Sequence, residues 1–204
     1  MSLPVGNSAT RQVRTRTSPG EQEVAILKVA AEEVALVGVG RLSLDVIARQ
    51  AGVSRSTLYR RFPSRDALIT ELGHRTFAIA MSRLATVDVD SGPQEAAVAC
   101  FCEGVRILTT DPTMRRFLQL DGDFTVSPGM RQAAEHFLES ASLAMAKALR
   151  TAGATMADPD LLGVAELHIR LATSLAQVNS HTLDTGDMHA VRLYAQRHLA
   201  QLVR

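Results

Sequence analysis

The 204-residue chain has no tryptophan, only two tyrosines and two cysteines, and almost no net charge: 22 Lys+Arg against 21 Asp+Glu. No apolar run approaches the roughly 20 residues that cross a bilayer, so no membrane partner is expected. Residues 1–22 lack the apolar stretch of a secretory leader, and the two cysteines fit a reducing compartment. The protein is therefore read as cytoplasmic. No segment alternates with period two and no Asn-Gly dipeptide occurs, which removes the usual signs of strands and hairpins. Cys100 and Cys102 stand two residues apart, a step of about 200° on a helix, so the two thiols cannot share one metal there. Buried free cysteine is the expected state. His136, His168, His181, His189 and His198 are scattered, with no H-E-x-x-H spacing. No Gly-rich phosphate loop or nucleophile elbow is found. These absences argue against an enzyme, and no cofactor or metal is expected.

What is present is helix-forming and apolar. Hydrophobic residues make up 46 % of the chain, enough for a sizeable core. Ala, Leu, Glu, Gln and Arg dominate, with Gly and Pro mostly between candidate helices. The expected fold is all-α: a three-helix N-terminal head followed by a helical C-terminal domain. Residues 1–20 are expected to be a flexible arm carrying Arg11, Arg14 and Arg16, one possible role being a minor-groove contact. The head is assigned to 21–66 and the body to 67–204. Helices are expected over 21–37, 44–51, 55–61, 65–86, 94–110, 112–120, 130–151, 159–183 and 187–203. Ser43, Ser54 and Ser64 stand at three of the helix starts.

Charge is unevenly spread. Residues 1–75 hold 11 Lys+Arg and 7 Asp+Glu, leaving the rest of the chain mildly acidic. The basic excess gathers in "DVIARQAGVSRSTLYRRFPSRDALI", where two short helical runs flank Gly52. Two short helices joined by a tight Gly-containing turn are the helix-turn-helix unit. Its second helix enters the major groove with N-terminal residues at the base edges. Arg55, Ser56 and Thr57 occupy that first turn. Tyr59, Arg60, Arg61, Ser64 and Arg65 follow along the groove walls. Phosphates are held by hydroxyls, by Arg and by free N–H groups at helix starts, and this stretch offers all three. These arginines are therefore expected to face a phosphate backbone and not acids of their own chain. Two roles stay open for Tyr59, packing on the first helix or phosphate contact, and two for Arg49, solvation or phosphate contact.

Residues 25–69, "AILKVAAEEVALVGVGRLSLDVIARQAGVSRSTLYRRFPSRDALI", resemble the DNA-binding head of TetR-type transcription regulators without a gap. "IL", the Ala pair, Gly38, "IA", "AGVS", "TLYRRF" and "SRDAL" all stand at that family's spacing. Ser56, Arg61 and Val46 depart from its commonest residues, which leaves the operator sequence undetermined. The resemblance implies a homodimer on double-stranded operator DNA and a body that binds a small, largely apolar effector. Repression is the sign expected, since a dimer on a promoter blocks polymerase; activation stays open.

For the body, flexible Met and scattered Phe suit an adaptable cavity and a plain core alike. The resemblance favours the cavity. Phe77, Met81, Phe101, Phe117 and Phe137 are then the candidate lining, with Phe124 and Met130 nearby in sequence, and Arg106, His136 and His168 the polar groups that orient a ligand. Residues 160–178 are apolar on nearly every face, which requires burial all round. A two-fold four-helix interface through Leu171, Leu175, Val178, Val191, Tyr194 and Leu202 is the expected solution, and a central core helix in a monomer is the alternative.

Overall fold

The computed structural model describes residues 18–118 and 128–204. Among these residues all regular structure is helical: α1 Pro19–Val37, α2 Leu44–Gln50, α3 Arg55–Arg61, α4 Arg65–Leu84, α5 Pro93–Thr110, α6 Pro112–Leu118, α7 Pro128–Thr151, α8 Asp158–Gln177 and α9 Met188–His198. Short 3₁₀ turns occupy Val39–Arg41 and Ala200–Leu202. No described helix is long and apolar enough to cross a membrane.

α1 starts earlier than expected. The Ser18 hydroxyl accepts from the Glu21 backbone N–H at 3.2 Å, while the Glu21 carboxylate accepts from the Ser18 N–H at 2.6 Å. This reciprocal capping box, with Pro19 in the first turn, draws Pro19 and Gly20 out of the expected arm and into the helix. Arg11, Arg14 and Arg16 lie outside the described residues.

The head closes around Ile26, Leu27, Ala30 and Val34 of α1, Ile47 and Ala48 of α2, Leu58 of α3, and Phe62. Leu68, Ile69 and Leu72 of α4 complete the same core. The head therefore reaches past the boundary expected at 66. In the body α5 is central. Phe101, Val105 and Leu108 pack with Met114 of α6, Ala172 of α8, and Val191 and Ala195 of α9. Ala97 and Cys100 pack with Ala141, Met145 and Leu149 of α7 and Leu161, Ala165 and Ile169 of α8.

α8 ends at Gln177 rather than 183. Val178 is extended, and the Ser180 hydroxyl accepts from the N–H groups of Thr182 and Leu183, both at 3.2 Å, turning the chain away. α9 begins where Asp187 accepts from His189 and Ala190 at 2.9 and 3.3 Å, and it gives way after His198 to the 3₁₀ turn.

A histidine sits wholly inside the body. His168 of α8 is 0 % exposed; its Nδ1 lies 2.7 Å from the Val164 carbonyl and therefore donates to it. Its Nε2 is buried and has no hydrogen-bond partner. Burial pushes the imidazole pKa below the ordinary 6.5, against the smaller upward pull of the Val164 bond. The folded chain thus keeps His168 neutral, whereas the unfolded chain protonates it near 6.5. Stability is expected to be intact above neutrality and to fall as the pH drops from about 7 through 6.5 and below, because the unfolded state gains a proton the fold excludes. The other five histidines are exposed. Urea unfolding across that range should show the loss, and His168→Leu should flatten it. A variant with an undiminished slope would assign the effect to other groups.

Candidate nucleic-acid interface

The turn between α2 and α3 is set by backbone geometry. Gly52 has φ +68°, its N–H donates to Arg49 O at 3.2 Å, and the Val53 N–H donates to Ala48 O at 3.0 Å. That pair of bonds is the Schellman arrangement, in which glycine holds the left-handed position at least cost. Val53 packs back on the head core, as does Leu58, which is 1 % exposed. With α3 anchored on that side, Arg55, Ser56, Tyr59 and Arg60 are exposed on the other. Thr57, expected at the base edges with Arg55 and Ser56, is half-buried. Tyr59 is among the exposed large apolar side chains rather than packed away.

The hydroxyls form a local network. Ser54 caps α3, accepting from the Thr57 N–H at 3.1 Å, and its Oγ lies 2.9 Å from both Ser56 Oγ and Thr57 Oγ1. Ser43 caps α2 through the Val46 N–H at 3.5 Å, and Ser64 caps α4 through the Ala67 N–H at 3.0 Å. Three helix N-termini thus have their caps within one stretch, with Ser54 and Ser64 exposed.

Two arginines depart from expectation. Arg55 does meet an acid of its own chain: its Nε lies 2.8 Å from Asp45 Oδ1, across α2 and α3. Both partners are well exposed, so the pair contributes little, about 0–1 kcal/mol, and can exchange for another acceptor. Arg65 donates to the carbonyls of Val39 and, at 2.9 Å, Gly40. Its guanidinium fastens the start of α4 to the link after α1, which is why it is not presented to a partner as expected. Arg61 is half-buried, and its buried Nε has no hydrogen-bond partner. Arg49 and Arg60 are exposed without an acidic partner among the described residues. Arg41, in the 3₁₀ turn beside Ser43, has the same character and was missed by the sequence analysis. Its signal was only a lone basic residue in a glycine-rich link.

The residues expected to line an effector cavity separate into three places. Phe77 and Met81 of α4 meet His136 and Phe137 of α7, joined by His74, Ala78 and Ser140, around a groove of about 320 Å³. Phe77 and Phe137 stack with ring centroids 4.6 Å apart, and Phe117 approaches Phe77 at 6.4 Å. Phe101 is 2 % exposed and sets its ring edge-on to His168 at 6.2 Å, as part of the solid core. Arg106 points away from both, clasping Glu103 at 2.6 and 2.8 Å one turn back on α5. Helical spacing puts Arg106 on the face opposite the buried stripe, so it does not join the others. Phe124 lies outside the described residues, as does the side chain of Met130.

The expected dimer residues also divide. Val178 is 71 % exposed. Leu171, Leu175, Tyr194 and Leu202 are half-buried against the body's own core. Val191 is 0 % exposed and so is not available to a partner, because α9 turns it onto α5. The large apolar residues that α8 and α9 leave open are Leu162, Leu167 and Leu193.

Head and body touch along two lines, α4 and α6. Arg75 of α4 joins Glu23 of α1 at 2.6 Å and Glu71 at 3.0 Å. From α6, Thr113 donates to Ala31 O at 3.3 Å, and Arg116 donates to Ala35 O at 3.3 Å and Leu36 O at 3.5 Å.

Comparison with known proteins agrees with this architecture. Residues 26–72 match the family model described as bacterial regulatory proteins, tetR family. Uncharacterized HTH-type transcriptional regulators of Mycobacterium bovis and Mycobacterium tuberculosis are 40 % and 42 % identical over 73 residues. That stretch is 36 % of this chain and 37 % of each relative, so the likeness covers little more than a third of their length. A solved TetR-family structure from Mesorhizobium loti superimposes with a TM-score of 0.68 at 13 % identity, covering 92 % of this chain and 97 % of that one. A tetR-family transcriptional regulator from Streptomyces coelicolor gives 0.63 at 18 % identity, over 90 % and 77 % of the two chains. Residues 26–72 thus match the head of the tetR family, and the chain as a whole shares its fold with solved tetR-family structures.

Proposed function

We propose that the protein is a transcription regulator that binds operator DNA as a homodimer and is released from it by a small apolar effector. The observation that carries the first part is the exposed face of α3 together with the exposed Arg41, Arg49 and Arg60 of the head, none of which has an acidic partner among the described residues. Phosphate oxygens satisfy such cations, and the first turn of α3 brings Arg55, Ser56 and Thr57 to the base edges. The Arg55–Asp45 pair keeps the guanidinium in place until a guanine edge replaces the carboxylate. A dimer on its operator obstructs polymerase, hence repression.

Selection from random duplexes should recover inverted repeats whose half-sites stand one helical turn, or a multiple of it, apart. Arg49→Ala and Arg60→Ala should weaken all duplexes alike, each lowering the slope of log K against log salt by about 1. Arg55→Ala should instead cost about 1–3 kcal/mol at one base position. Uniform loss in all three variants would sink the assignment of Arg55 to a base edge.

Assembly is proposed through α8 and α9, where Leu167, Val178 and Leu193 are open to solvent. Leu167→Glu and Leu193→Glu place charge in that seam and should convert dimer to monomer. Both sites are exposed in the single chain, so the fold itself should persist. Sedimentation of the wild type as a monomer at micromolar concentration would remove the dimer.

The proposed effector site is the groove at Phe77, Met81, His136 and Phe137, since it touches α4 directly. A ligand there shifts DNA affinity only by preferring one placement of α4, with coupling of about 1–3 kcal/mol. Met81→Trp fills the groove and should mimic the ligand, lowering operator affinity roughly 5- to 150-fold with a normal helical spectrum. A folded Met81→Trp protein with unchanged affinity and an intact response to an apolar inducer would rule out this groove.

A further inference from the structure

A second cleft lies at the C-terminal end of α4, about one turn beyond the groove at Phe77 and Met81. It encloses about 400 Å³ between Leu84 and Val87, Met145 and Ala148 of α7, and Ile169 of α8. This is the size range of small-ligand sites. The walls are apolar apart from two residues of the α7 rim, Lys147 and Thr151. The Thr151 hydroxyl is turned back onto the helix, donating to Lys147 O at 3.0 Å. Cys100, in the wall, has its thiol pushed up to about 11 by burial and stays uncharged. Lys147 is thus the one charged group lining the cleft. It has no acidic partner among the described residues.

From the apolar interior and the single cation at the mouth, we infer that this cleft binds a small amphipathic anion, an alkyl carboxylate with its tail among Leu84, Met145 and Ile169 and its head at Lys147. A neutral alcohol fills the same walls but leaves the ammonium unpaired. An alkylamine sets like charges together. Lys147 is exposed, so its preference for the carboxylate is modest, up to about fivefold, and is screened by salt.

The inference does not depend on the regulatory proposal, because it is tested on the full chain without DNA. Titration calorimetry with octanoate at low salt should show saturable binding, weaker binding of 1-octanol by about two- to fivefold, and weaker binding still of octylamine. In 1 M salt octanoate and octanol should converge. Lys147→Gln should remove the preference for octanoate while leaving octanol binding as in the wild type. Ala148→Phe should abolish binding of both. If that variant does not fold, Ala144→Leu, on the same wall, replaces it. Non-saturable uptake of octanoate, octanol bound as tightly as octanoate at low salt, or an unchanged preference in Lys147→Gln would each overturn the inference. A chain that binds octanoate as described and no DNA would overturn the regulatory proposal alone.

Discussion

Helix α4 is built into two hydrophobic cores at once. Leu68, Ile69 and Leu72 close the head, while Ala80 belongs to the body core with Phe77 and Leu84 packed against it. Nothing in its sequence interrupts the 20 residues between Arg65 and Leu84, so it behaves as a rod of about 30 Å. Protein interiors are close-packed, and a rod held at both ends cannot move in one core without moving in the other. The positions of the α2–α3 unit, the groove at Phe77 and the cleft at Leu84 are all defined relative to this one helix. Arg65 fastens its first turn to the carbonyls after α1, and Arg75 fastens its middle to Glu23. Two arginines that add to the basic count of the head are therefore structural.

The contact between α6 and α1 serves the same end from the other side. The last carbonyls of any helix lack intrahelical donors and carry partial negative charge. α1 has no basic residue in its own last turn. Arg116 of α6 supplies the missing donor, reaching Ala35 O and Leu36 O, and Thr113 adds a bond to Ala31 O. The body thus completes the C-terminus of a head helix. A displacement of α6 leaves those carbonyls without these donors, so the head is sensitive to the body along two routes, α4 and α6.

What sequence reasoning resolves here depends on the range of the interaction. Local rules located the helix-turn-helix because a glycine in a left-handed position, serines at helix starts and the apolar spacing of Ile26, Leu27, Ala30 and Val34 are all short-range. The Ser18–Glu21 capping box obeys the same kind of rule, and proline is favoured in the first helical turn, so the start at Pro19 was legible although the flexible arm is expected to reach residue 20. Partners separated by many residues were not legible. That Arg55 meets Asp45, and that Arg65 meets Val39 and Gly40, follows only from how α2, α3 and α4 cross. In the body, Phe77 and Met81 of α4 meet His136 and Phe137 of α7 at one groove, whereas placing Arg106 or Val191 required knowing which side of α5 and α9 faces inward. Residues 160–178 seemed apolar all round because hydropathy does not separate a half-buried Leu171 from an open Leu167.

The arginines of the head illustrate how charge counted in a sequence differs from charge available to a partner. Residues 1–75 carry 11 Lys+Arg against 7 Asp+Glu. Arg65 and Arg75 are consumed by the α4 contacts, and Arg55 is held, loosely, by Asp45. None of the head's other described arginines has an acidic partner: Arg61 of α3 is half-buried, and Arg41, Arg49 and Arg60 are exposed. They stand on three different elements: the 3₁₀ turn, α2 and α3. A flexible basic tail also attracts phosphates, but it does so without register. Cations placed on elements that share one packed core keep their mutual distances, and a repeating array of phosphates rewards fixed distances. Packing of the head, set by Leu58, Ile47 and Leu68 on its buried side, is thus what turns a small excess of charge into an ordered surface on its exposed side.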